Sequence, residues 1–117
     1  MASYQVEFFK KDNGTEPARE FLDSLDKKML AKMARAVLIL QENGVELREP
    51  YTKHIKDGIF ELRAKVGSDI TRIMYFFFVG RRIVLTNGFI KKTQKTPASE
   101  INKAMNFRKE YIEREGI

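Results

Sequence analysis

Ile59-Phe60-Glu61-Leu62-Arg63-Ala64-Lys65-Val66 decides the fold. Phe60, Leu62, Ala64 and Val66 fall on one side and Glu61, Arg63 and Lys65 on the other, the two-residue period of a strand with one buried face. Gly67-Ser68-Asp69 makes a tight connection to a second run, Ile70 to Val79. That run is apolar on both faces except at Thr71 and Arg72, which marks a central strand. Gly80-Arg81-Arg82 turns the chain into a third, largely apolar run, Ile83 to Lys92. Three strands joined by short loops predict an antiparallel meander.

Upstream, residues 3 to 10 put Tyr4, Val6 and Phe8 on one face of another strand. Lys11-Asp12-Asn13-Gly14 reads as a turn. Thr15 as N-cap and Pro17 in the first turn then start a short helix with Phe21, Leu22 and Leu25 as its apolar side. Ser24 or Asp26 caps a longer helix in which Met29, Met33, Val37 and Leu40 recur at helical spacing, ending at Asn43-Gly44. Those methionines read as core filler, not as ligands. Downstream, Gly88-Phe89-Ile90-Lys91-Lys92-Thr93-Gln94-Lys95-Thr96-Pro97 ends a strand in a cluster of lysines and meets a helix start, with Thr96 as cap and Pro97 at the first position. The last helix has Ile101, Ala104, Met105, Tyr111 and Ile112 as its stripe, interrupted by Arg108. The sum is one α+β domain over residues 1–117: an antiparallel sheet, made of the N-terminal strand plus the three-strand meander, packed by an N-terminal helical hairpin, with a C-terminal helix.

Composition narrows the chemistry. The 117 residues carry a net charge of +6, are 43% hydrophobic and 32% charged, and include no cysteine and one histidine, His54. Disulfide frameworks, thiol nucleophiles and cysteine zinc sites are thereby excluded, and no cofactor is expected. No apolar run approaches the roughly 20 residues that cross a membrane. Met-Ala-Ser-Tyr-Gln-Val-Glu has no signal-peptide character, so the expected location is cytoplasmic. The charge is unevenly spread: residues 51 to 97 hold ten basic and three acidic side chains, while the rest of the chain is nearly neutral. A local excess of this kind is the footprint of a polyanion site, although a solvated basic surface accounts for the charge equally well.

Arg72 shares a strand face with Ile70, Met74, Phe76 and Phe78, so its guanidinium needs either a carboxylate partner or a place at the open end of the sheet. If the first two meander strands pair across Ser68, Arg63 becomes its cross-strand neighbour. Two adjacent guanidinium groups can clamp a phosphate, and the competing reading pairs one of them with Glu61. Lys91 and Lys92 point to opposite faces, so at most one joins the arginines; a lysine beside like charges, or His54, could move protons. Lys53, Lys56, Lys65, Thr93, Lys95, Arg108 and Tyr111 complete the candidate RNA contacts. Tyr51, Phe89 or Tyr111 could stack on an exposed base, though core packing is the default for the last two. No P-loop, paired-acid signature or metal site is present in the pattern. RNA permits cleavage without one, because its own 2′-hydroxyl can attack the adjacent phosphate while the protein aligns groups and stabilises charge.

Pro50-Tyr51-Thr52-Lys53-His54-Ile55, Asp57-Gly58-Ile59-Phe60-Glu61-Leu62-Arg63, Arg72-Ile73-Met74-Tyr75-Phe76 and the Gly88–Pro97 stretch followed by Glu100-Ile101 and Ala104 together resemble the RelE/ParE superfamily of toxins from type II toxin–antitoxin pairs. The likeness is to the HigB-like, phage-derived branch and runs through most of the chain. It implies an mRNA endoribonuclease (an mRNA interferase) acting at the ribosome to arrest translation. It also implies a neutralising helix-turn-helix antitoxin encoded by the adjacent gene, with operator DNA met only through that complex. On this resemblance the site residues are Arg63, Arg72, Lys91 and Lys92, with a lysine or His54 handling protons. The alternatives are a ParE-like DNA gyrase inhibitor that cuts nothing, since the fold serves both activities, and a non-enzymatic nucleic-acid-binding module.

Overall fold

The computed structural model describes residues 4–91 and 95–116, with only the backbone of Lys91. In chain order the elements are β1 (Gln5–Phe8), α1 (Pro17–Asp23), α2 (Lys27–Asn43), β2 (Thr52–Lys56), β3 (Ile59–Val66), β4 (Asp69–Phe78), β5 (Arg82–Lys91) and α3 (Ala98–Glu115), with a 3-10 turn at Gly44–Glu46 after α2. The five strands form one sheet in the order β1-β5-β4-β3-β2.

Alternation along β3 does what its pattern requires. Leu62 and Ala64 turn to the face covered by α1 and α2, where Ile73, Tyr75, Ile83 and Leu85 join Met29, Met33, Ala36 and Leu40 in one buried cluster. Ile59, Met74, Phe76 and Val84 turn to the opposite face, against Ala104 and Tyr111 of α3. The sheet is thus the middle of three layers.

Three features depart from the sequence expectation. The meander has four strands, because Thr52–Lys56 forms β2 and pairs antiparallel with β3. Its side chains are too polar to show an apolar alternation, as edge strands commonly are. The sheet is not wholly antiparallel either: β1 lies parallel to β5, Val6 opposite Ile83. Helix starts also shift by a residue. Glu16 precedes Pro17 as N-cap of α1 and Pro97 is the N-cap of α3, whereas Asp26 caps α2 by accepting the Met29 N–H at 2.9 Å.

One irregularity positions the site. Between β4 and β5, Met74 faces Asn87 and Tyr75 faces Leu85, leaving Thr86 as an extra residue on β5. The bulge reverses the alternation, so that Asn87 and Phe89, rather than Thr86 and Gly88, share a face with Met74 and Arg72. Gly88 consequently lies under α1, where a Cβ would run into the ring of Phe21. Among the described residues no helix is long and apolar enough to cross a membrane.

Candidate functional site

The register places Arg63 directly opposite Arg72. Between them stands Glu61, fully buried on the face that α3 only partly covers. Its Oε1 accepts hydrogen bonds from Arg72 Nη1 and from Arg63 Nε at 3.2 Å. Its Oε2 accepts the Thr96 hydroxyl at 2.6 Å. One carboxylate therefore ties together two strands and the segment that leads into α3. Burial alone would raise the Glu61 carboxyl, but the Thr96 hydrogen bond and the Arg72 charge hold it below its ordinary value of 4.5.

The two arginines are not equivalent. Arg72 is 3% exposed, Arg63 22%. Arg72 takes the carboxylate-partner course, and its Nε has no hydrogen-bond partner among the described residues. A guanidinium so enclosed acts as the counter-charge that makes a buried carboxylate tolerable. Arg63, partly exposed, gives its Nε to Glu61, which orients the guanidinium edge at the surface. Thr96, read from sequence as a helix cap, instead spends its hydroxyl on Glu61.

Around Arg63 the same sheet face carries Lys53, opposite Glu61, and Lys56, opposite Ile59, together with Lys65 opposite Ile70. All three side chains are exposed, as is Lys95 just before Thr96. The backbone of Lys91 pairs with Ile70 at the end of β5; Lys92 and Thr93 lie outside the described residues.

Three sequence candidates stand elsewhere. His54 is in β2 and not in a loop; it pairs with Phe60, on the sheet face opposite to Arg63. Its Nε2 accepts the Gly58 N–H at 3.0 Å and its ring meets Phe60 edge-on. Arg108 donates to the Asp57 carbonyl at 2.5 Å, fastening α3 over the β2–β3 turn. Tyr111 is buried with its ring edge-on to Phe76 and Phe78, so no base can stack on it. Its hydroxyl donates to Glu7 Oε1 at 2.7 Å and accepts from Arg82 at 3.0 Å. Burial and the Glu7 carboxylate push that hydroxyl well above its ordinary value.

The structure also adds residues that the sequence did not single out. Beyond the start of β2, β3 runs on at the sheet edge, and a groove of about 450 Å³ opens between it and α2. Lys32 and Arg35 of α2 line it together with Tyr51 and with Arg63 and Lys65 of the β3 edge. Lys32 and Arg35 are spaced three apart on α2, which puts them on one helix face; that spacing was the available signal. Among the described residues no group of three or more histidine or acidic side chains could hold a metal ion.

Residues 20–109 match the family model described as phage derived protein Gp49-like (DUF891). The chain belongs to this family. No curated protein matches it significantly. In fold the Gp49-like chain is similar to a chain of the archaeal RelE–RelB complex from Pyrococcus horikoshii OT3, with a TM-score of 0.52 and 18% identity over 80% of this chain and 99% of that one. The fold of this Gp49-like chain is thus RelE-like.

Proposed function

We propose that the protein is the toxin of a type II toxin–antitoxin pair, of the HigB-like kind, and a metal-independent endoribonuclease that cuts mRNA at the ribosome in the cytoplasm. Its partner in this reading is a helix-turn-helix antitoxin from the neighbouring gene; what supports a protein partner is that the structural relative is a RelE–RelB complex. The observation that carries the reading is Arg63: a partly exposed guanidinium, oriented by a buried carboxylate, in a field of exposed lysines. In cleavage the 2′-oxygen attacks phosphorus, the P–O5′ bond breaks, and a 2′,3′-cyclic phosphate and a 5′-hydroxyl result. Arg63 neutralises the charge that builds on the non-bridging oxygens. One lysine of the Lys91-Lys92 pair is the proposed proton carrier, taking the 2′ proton and supplying one to the leaving oxygen. Arg72 contributes by holding Glu61, and His54 has no part because it occupies the other face.

Induced expression followed by primer-extension mapping of mRNA ends tests this. New 5′ ends are expected with the native chain and none with Arg63→Ala, whose circular dichroism stays native. Intact mRNA together with a DNA-damage response would replace the nuclease by a gyrase inhibitor.

A further inference from the structure

The groove between α2 and β3 is lined by Lys32, Arg35, Arg63 and Lys65 and by no acidic side chain. Lys32 and Arg35 of α2 meet no acidic side chain in this lining, an arrangement that an anion relieves, whereas Arg63 reaches round from the opposite sheet face, where Glu61 holds it. The rest of the lining is largely aliphatic, including Ala36, Ile39 and Ala64. The lining includes Tyr51, 44% exposed, whose backbone carbonyl accepts the Arg63 N–H at 2.9 Å and so fixes it beside that residue. Cationic side chains beside apolar surface and an aromatic ring match the repeating parts of a nucleic acid strand, phosphate and flat base. An acidic peptide would satisfy the cations but has no need of the ring. The volume of about 450 Å³ lies within the range of small-ligand pockets.

We infer that this groove is a binding subsite for single-stranded RNA, in which Lys32 and Arg35 hold phosphates and Tyr51 stacks on a base of the strand whose neighbouring phosphate lies at Arg63. The inference rests on the ribonuclease reading for the role of Arg63, and it extends the contact surface from the sheet face, around the edge of β3, onto α2. Lys32, Arg35 and Tyr51 are all exposed, so replacing them leaves the core untouched.

The test uses a fluorescein-labelled RNA hexanucleotide whose 2′-oxygens are methylated, so that binding is read without cleavage, by anisotropy over a salt series. The double variant Lys32→Ala/Arg35→Ala is expected to bind more weakly and to lower the slope of log affinity against log salt by about 1.4, the value for two single-strand phosphate contacts. Tyr51→Ala is expected to weaken binding at least about fivefold with the slope unchanged. Native affinity and slope in both variants overturn the subsite, as does absence of binding by the native chain. A peptide of alternating Glu and Leu that binds more tightly than the oligonucleotide, and is indifferent to Tyr51→Ala, overturns it in favour of a protein partner. Groove-dependent binding without mRNA cleavage leaves the subsite standing and removes the nuclease. Cleavage with groove variants that bind as the native chain does removes the subsite alone.

Discussion

The sheet face under α1 and α2 is closed by side chains such as Leu62, Ile73 and Leu85 meeting Met33 and Leu40, whereas the face under α3 is stitched by polar links. Glu61 gathers Arg63, Arg72 and Thr96; Asn87 reaches the Glu100 side chain at 3.0 Å; Tyr111 joins Glu7 and Arg82. On the first face the buried Tyr75 and Thr52 hydroxyls meet at 2.6 Å, with burial pushing the tyrosine up to about 12. Apolar contact is non-directional and tolerates small displacements. Charge-assisted hydrogen bonds fix angles as well as distances. One face is thus closed chiefly by apolar burial, while the other also holds a guanidinium at a set orientation next to solvent.

The largest expected effect comes from breaking the buried pair. Arg72→Ala leaves Glu61 as an unpaired buried carboxylate and should lower unfolding stability by about 3–5 kcal/mol in urea titration. Arg72→Ala therefore cannot separate mechanism from folding, unlike Arg63→Ala. The double variant Glu61→Leu/Arg72→Met should recover most of the loss yet cut RNA poorly, since Arg63 loses its orienting carboxylate; a double variant as unstable as the single one would defeat this account. On the apolar face, Ile73→Ala should cost about 2–5 kcal/mol through the cavity it leaves while the folded fraction keeps its native affinity for RNA. A shift in affinity at equal folded fraction would show that the faces are not separable.

A smaller effect is a pH dependence. Because the folded-state value of Glu61 is lowered, its stabilisation is complete above the ordinary carboxylate value of 4.5 and is lost as pH falls through the folded value. Native stability should thus fall more steeply below pH 4.5 than that of Glu61→Gln, as followed by chemical denaturation at successive pH values; parallel curves would sink the claim. Smallest is Tyr111→Phe, which removes one hydroxyl from a partly satisfied network and should cost about 1 kcal/mol with RNA binding unchanged.

Much of the fold was legible in the chain because its elements announce themselves locally. The alternation of Phe60 to Val66 and the 3.6-residue stripe of Met29, Met33 and Leu40 need no partner to be recognised. β2 was missed because only Ile55 among its five residues is aliphatic. The parallel placement of β1 was missed because strand direction is a tertiary property. At the site, the facing of Arg63 and Arg72 followed from hairpin geometry. The burial of Glu61 did not, since a glutamate on the polar side of an alternating strand looks solvated until Arg72 and Thr96 converge on it from residues far along the chain. The bulge at Thr86 was equally hidden, and it shifts the register so that the Lys91 backbone pairs with Ile70.

The pairing of β1 with β5 also sets a timetable. Gln5 must find Arg82, so during synthesis at about 5–20 residues per second the first strand waits several seconds for the strand that will receive it. Over that interval Tyr4, Val6 and Phe8 have no sheet to join. Thr96 emerges later still, which makes the orientation of Arg63 one of the last things the growing chain acquires. A nascent copy thus lacks an oriented Arg63 until the segment that carries Thr96 has been made.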